Sequence, residues 1–145
     1  MRVLFWLLCF TSPAAAGWEA SSNGPVCLLS QMTDKGAVTV SHDPRQALPY
    51  AIQISRQADA WVGAPLFALQ FDGLGPITIT TERHQLADNN SELIVTDRGF
   101  ENVLRGLEAN FVALAVLGNQ SLVIPLNGAA PEVAKFRACA TGTGI

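Results

Sequence analysis

The chain has 145 residues, a length that suits one domain of roughly 100–150 residues, and it carries a net charge of −3 at pH 7. Its nine basic residues are scattered, whereas a nucleic-acid-binding protein concentrates Lys and Arg to neutralise phosphates. The composition therefore excludes nucleic acid as a partner, and a dispersed, acidic surface argues against adhesion to anionic lipid.

The first sixteen residues, MRVLFWLLCFTSPAAA, have the pattern of a secretory signal peptide. Arg2 precedes the apolar segment 3–10, and the alanines at 14–16 form a small-residue cleavage site. The apolar segment is too short for a membrane-spanning helix, which needs roughly 20 residues, so no span is expected after cleavage. We therefore predict a periplasmic or secreted protein.

Beyond residue 16 the chain shows short runs of alternating apolar and polar residues, separated by turn residues. In the segment 77–82, isoleucines alternate with threonines, which is typical of a sheet with one face in water. Strands are predicted over 26–32, 37–42, 50–56, 66–71, 77–82, 83–86, 92–96, 111–117 and 121–126. Eight or nine short strands indicate a mainly β fold, either an antiparallel β-sandwich or an open barrel.

Two short helices are predicted late in the chain and are expected to pack against the sheets. The first covers 97–110, with Asp97 as its N-cap. Its apolar stripe consists of Phe100, Val103, Leu104 and Leu107. The second begins near Ala130, with Pro131 in its first position. The organisation is thus a signal peptide over 1–16, a single β-rich domain over 17–140 and a flexible tail over 141–145.

Cysteine usage predicts one disulfide. Cys9 lies in the signal segment, which leaves Cys27 and Cys139. An even number of cysteines in an exported domain favours a bond between them, which would join the first predicted strand to the last helix and hold the C-terminus. The alternative is that Cys139 is a reactive thiol with His42 or His84 as its base.

The two histidines are the candidates for chemistry. Asp43 follows His42 directly, and Glu82 and His84 share one face of a predicted strand, so a carboxylate–histidine metal site would form if these segments met. No ligand spacing such as C-x-x-C or H-E-x-x-H supports such a site. We therefore predict no metal and no other cofactor. If a metal does bind, the candidate ligands are His42, Asp43, Glu82 and His84.

No catalytic motif is visible in the sequence. A G-x-S-x-G elbow, a phosphate-binding loop and a G-x-G-x-x-G sequence are all absent, so no catalytic residue is assigned. The leading hypothesis is a non-catalytic envelope or interaction protein whose candidate partner is another envelope protein. The alternative is a metal-dependent or hydrolytic enzyme that uses His42, His84 and nearby carboxylates.

Two loops are candidate contact surfaces for a partner. One is the loop after His42, which contains Arg45, and the other is the Gly- and Pro-bounded stretch that contains Trp61. A loop tryptophan can anchor a partner. The alternative for Trp61 is that it folds back onto the edge of the sandwich.

Three motifs support a resemblance to exported bacterial proteins. Trp18 precedes "CLLSQ" from Cys27, and the chain closes with "VIPLNGAAPEVAKFRAC" from Val123. This layout resembles small periplasmic proteins of the invasion-associated locus B type. The chain is also similar to a narrower group of secreted proteins of unknown function that share "HDPR…PYAI", "TDRGFENVL" and "FRAC". Some members of that group are named as a component of the ABC excinuclease, a function that this sequence contradicts because it has no nucleotide-binding loop and no helicase motifs.

Overall fold

The computed structural model describes residues 17–142, in which the chain forms ten strands and two helices. Their bounds are β1 (Glu19–Asn23), β2 (Val26–Met32), β3 (Gly36–His42), β4 (Tyr50–Arg56), β5 (Phe67–Gly73), β6 (Ile77–Thr81), β7 (Gln85–Ala87), β8 (Glu92–Asp97), α1 (Glu101–Ala109), β9 (Asn110–Leu117), β10 (Gln120–Pro125) and α2 (Ala129–Ala140). The predicted signal peptide over 1–16 and the last three residues of the predicted tail lie outside the described residues.

The strands form two antiparallel sheets. One has six strands in the order β1-β2-β3-β4-β8-β7, and the other has four in the order β10-β9-β5-β6. Alternate residues of each strand point between the sheets, so that Val40 of β3 and Ile52 of β4 lie side by side in the core. The mainly β prediction is confirmed, and the two separate sheets are those of a β-sandwich rather than an open barrel.

Strand β1 is absent from the sequence-based prediction. Its sequence, EASSN, has no alternation of apolar and polar residues, so only its contacts define it. It pairs with β2, and the backbone N–H of Ala20 donates a hydrogen bond to Oε2 of Glu132 in α2 at 3.0 Å. Strand pairing and a helix carboxylate therefore order a segment that has no strand signal of its own.

The first helix begins later than predicted, whereas the second begins next to the predicted Ala130, with Pro131 in its third rather than its first position. Asp97 is the last residue of β8, where it pairs with Tyr50, and the N-cap of α1 is Phe100, which makes no side-chain capping bond. The second helix begins at Ala129 after Gly128, which has a φ of 80°, so Pro131 is its third residue. In each case the end of a strand or a glycine turn, rather than the local capping signal, decides where the helix begins.

Helix α1 lies close against β5 because residue 106 is a glycine. A Cβ atom at Gly106 would lie 2.5 Å from ring atoms of Phe71, which is 3% exposed. The predicted apolar stripe of α1 is buried, including Leu104 and Leu107. Among residues 17–142 no helix is both long and apolar enough to cross a membrane.

One long side of the sandwich is closed by the N-terminal segment and α2. Trp18 is buried, and its Nε1–H donates to the carbonyl of Pro125 at 3.0 Å. Helix α2 packs against β1 and β2, and a disulfide joins Cys27 to Cys139. The predicted disulfide is therefore present, and it fastens the last helix to the second strand.

The opposite side of the sandwich is open. Strand β6 is the edge of the four-stranded sheet, and β7 has only three residues, which pair with the first half of β8. Ile79 of β6 and Val95 of β8 belong to the core-facing residues of their strands but remain partly exposed. The two sheets are thus not sealed against each other along this side.

Candidate functional site: a pocket between the sheets

A cavity of about 330 Å³ occupies the open side of the sandwich. We call it the inter-sheet pocket. Its wall is apolar and comes from four strands and the start of α1: Ile52, Phe67, Leu69, Ile79, Val95, Phe100 and Val103. Strand alternation directs these side chains inward, and β7 is too short to cover them. A volume above 300 Å³ and an apolar wall are typical of small-molecule sites.

Polar residues surround the mouth of the pocket, and we call them the rim: Thr80, Thr81, Arg83, Asp97, Glu101 and Asn102. Across the rim, Nη2 of Arg83 lies 3.4 Å from Oδ2 of Asp97. The other oxygen of Asp97 accepts the backbone N–H of Arg98 at 2.7 Å. The Asp97 carboxylate thus has a partner on each oxygen.

Glu101 is held by a second helix. Its two carboxylate oxygens accept hydrogen bonds from Arg137 of α2 at 2.7 and 3.2 Å, and Arg105 lies 3.7 Å away. The hydrogen bond from Arg137 holds the pKa of Glu101 below its usual value, and the charges of Arg137 and Arg105 act in the same direction. Arg137 also bonds Glu108, so it ties α1 to α2 beside the pocket.

The pocket lining contains three titratable side chains. The titratable groups in its lining are Arg83, Asp97 and Glu101, and each takes part in an ion pair. The remaining polar side chains of the rim are two threonines and an asparagine. General acid–base chemistry needs a group whose pKa lies near the working pH. Ion pairing lowers the pKa of Glu101 and so moves it away from neutral pH.

The structure places Trp61 in the core rather than on a contact surface. Its side chain is 1% exposed, and its Nε1–H donates to the carbonyl of Ile54 at 3.0 Å. The guanidinium of Arg56 lies 5.4 Å from the ring centroid. A buried indole offers no area to a partner, so the alternative in which Trp61 folds back onto the sandwich describes its position.

The two histidines occupy separate places. His42 ends β3, where its ring lies 4.7 Å from that of Tyr50. His84 follows β6, and its Nε2–H donates to the carbonyl of Ala64 at 2.9 Å, which leaves Nδ1 without a partner among the described residues. Within residues 17–142 there is no group of three or more His, Cys, Asp or Glu side chains that could hold a metal, so His42, Asp43, Glu82 and His84 are not brought into one cluster.

Asp43 is paired with Arg45 on the loop after β3. Nε and Nη2 of Arg45 donate to the carboxylate at 2.9 and 3.0 Å, and its backbone N–H donates at 3.1 Å. The side-chain hydrogen bonds of Arg45 lower the pKa of Asp43 from 3.8 to about 2. The side chain of Arg45 is 64% exposed, so this predicted contact residue lies at the surface.

We expect Arg45→Gln to raise the pKa of Asp43 from about 2 towards 3.8. Because folding lowers this pKa, the stabilisation that the pair contributes is present above pH 3.8 and is lost as the pH falls towards 2. Carboxyl NMR titration measures the pKa directly, with Lys35→Gln as a control that removes a positive charge elsewhere. An Asp43 that titrates near 3.8 in the wild-type protein would contradict the pairing.

The pocket was not among the sites predicted from the sequence. Its lining comes from five separate elements that span residues 52 to 103. The signal for the pocket in the sequence is the alternation along each strand, which indicates that Ile79 and Val95 face inward. Alternation does not indicate that this side of the sandwich is left uncovered.

Comparisons with family models, with curated proteins and with solved structures each found no match. No residue of the pocket is therefore assigned a role by similarity. The geometry and chemistry of the pocket provide the basis for a functional hypothesis.

Proposed function

We propose that the protein is an exported, non-catalytic binding protein of the cell envelope, and that it holds a small, largely apolar ligand in the inter-sheet pocket. The disulfide supports an oxidising compartment, because such bonds form and persist outside the cytosol. The signal-like pattern of residues 1–16 and the resemblance to periplasmic proteins of the invasion-associated locus B type point the same way. A mature N-terminus at Gly17 or Trp18 in protein isolated from the envelope would support export.

The observation that carries the binding proposal is the open apolar cavity itself. Core-facing side chains such as Ile79 and Val95 remain partly in contact with water along one side of the sandwich. A ligand that covers them gains roughly 25 cal/mol for each Å² of apolar surface removed from water. At about 30 Å³ for each water-sized group, a cavity of 330 Å³ accommodates about eleven such groups.

A neutral fluorescent probe of this size, 1-aminonaphthalene, tests the proposal. We expect saturable binding with a blue-shifted emission, because the probe leaves water for an apolar wall. Val95→Phe, which fills part of the pocket, should weaken binding at least about tenfold, since the cavity then no longer accommodates the probe. Thr96→Phe is the matched control, because residue 96 lies on the same strand but points to the other face. Equal binding by both variants would overturn the proposal.

The second hypothesis, a metal-dependent or hydrolytic enzyme, gains no supporting geometry. Its candidate residues His42, Asp43, Glu82 and His84 form no shared site within residues 17–142. His84 instead anchors the loop that contains Ala64, and Asp43 is engaged by Arg45.

A further inference from the structure

The two carboxylates on the rim, Asp97 and Glu101, are each paired with an arginine. Both oxygens of Glu101 accept from Arg137, and the two oxygens of Asp97 face Arg83 and the backbone N–H of Arg98. An ammonium head at the rim would therefore meet carboxylates whose charge is already balanced by arginine side chains, and it would lie beside the Arg83 guanidinium.

The donors on the rim are largely unused. A guanidinium carries five N–H groups, and within the described residues Arg83 makes one ion pair, at the long distance of 3.4 Å. The side chain of Arg83 is 70% exposed, and its backbone N–H is fixed by a bond to Oγ1 of Thr81 at 3.0 Å. The planar fork of arginine matches a carboxylate or a similar oxyanion in a bidentate arrangement.

The wall below this donor is mostly aliphatic. Ile52, Leu69, Ile79, Val95 and Val103 line it together with two phenylalanines. The volume corresponds to about eleven water-sized groups, which limits the apolar part of a ligand to about ten carbons. The pocket thus combines an apolar wall with a polar rim.

From these observations we infer that the inter-sheet pocket binds a small amphipathic anion, whose apolar part of about ten carbons fills the cavity and whose anionic head pairs with Arg83. The inference rests on the proposed binding function and adds the chemical class of the ligand. Because the guanidinium of Arg83 is exposed to water, its pairing with the anionic head contributes little free energy. The head group therefore determines which ligands are preferred, while burial of the ligand's alkyl chain supplies most of the affinity.

Calorimetric titration of the purified disulfide-bonded protein tests the inference with matched probes. The probes are octanoate, 1-octanol and octylamine, which share a chain length, and hexanoate and decanoate, which share a head group. We expect octanoate to bind about fivefold or more tightly than 1-octanol and octylamine. Each added methylene should strengthen binding about fourfold, up to about ten carbons, because each buried methylene contributes a fixed transfer free energy.

Arg83→Gln separates head-group recognition from chain burial. We expect this variant to bind octanoate about fivefold to tenfold more weakly and 1-octanol unchanged. Arg83→Lys keeps the charge without the fork and should retain part of the preference. Lys35→Gln is the control for loss of one positive charge, and it should bind every probe as the wild type does.

The outcomes distinguish the two proposals. If octanoate and 1-octanol bind equally and Arg83→Gln changes neither, the anionic head is wrong and the apolar binding site stands. Tighter binding of octylamine would also overturn the inference, because it would assign the head to Asp97 or Glu101. If neither the aliphatic probes nor 1-aminonaphthalene binds, the proposed function fails as well.

Discussion

Reduction of the Cys27–Cys139 disulfide should lower the free energy of unfolding by up to about 4–5 kcal/mol. The bond closes a loop of 112 residues, and in the chain-entropy description such a cross-link restricts the unfolded state in proportion to the logarithm of the loop length. Urea denaturation with and without reductant measures the difference. The melting temperature should fall by up to about 20 °C.

The double variant Cys27→Ala/Cys139→Ala provides the control for this experiment. It should unfold at the same urea concentration whether or not reductant is present, and reduced wild-type protein should match it closely. Helix α2 keeps other anchors, because Val133 and Phe136 are both 0% exposed, so the reduced protein is expected to remain folded at low temperature. A stability loss below about 1 kcal/mol would mean that these anchors, rather than the covalent link, hold the C-terminal helix.

Trp61→Ala should reduce the free energy of unfolding by about 3–5 kcal/mol. Removing a buried aromatic side chain costs its transfer free energy and leaves a cavity, and here it also removes the bond to the carbonyl of Ile54. The backbone around residue 61 is fixed independently, since its N–H donates to Asn90 and the Gln120 side chain bonds the backbone of Ala60 and Val62. The loop therefore cannot simply collapse to fill the space.

Two further variants separate the contributions at this position. Trp61→Phe keeps an aromatic ring but not the N–H, so it should lose less stability than alanine, with about 0.5–1.5 kcal/mol assigned to the hydrogen bond. Val62→Ala is the control, because Val62 is 66% exposed and should change stability by no more than about 0.5 kcal/mol. If Trp61→Ala were as stable as the wild type but no longer bound a partner, the hypothesis that Trp61 forms a contact surface would be supported instead.

The strands were predictable because the determining signal is local. In β4 and β6 the alternation of apolar and polar residues matches the alternation of inward and outward side chains, and the bounds of β2 and β4 agree residue for residue with the prediction. The disulfide was predictable for a different reason, since an exported domain with two remaining cysteines has one intramolecular pairing available.

The misplaced start of α1 shows where local signals fail. Asp97 is a good N-cap residue in isolation, but pairing with Tyr50 keeps it in β8, and its carboxylate bonds the next backbone N–H. Strand β1 is the opposite case, because its sequence has no strand pattern. It forms a strand because it pairs with β2 and is hydrogen-bonded by Glu132. In both cases interactions between distant segments outweigh a weak preference of the local sequence.

The fold class, most strand positions and the cysteine pair follow from periodicity and residue count, which are properties of the chain alone. The burial of Trp61 depends on tertiary contacts, and so does the finding that His42, Asp43, Glu82 and His84 form no cluster within residues 17–142. The tertiary structure also decided that one side of the sandwich stays open, because this depends on how far β7 extends along β8 and on where α1 rests against β5. The pocket follows from that arrangement, since its lining joins five elements that no single sequence pattern connects.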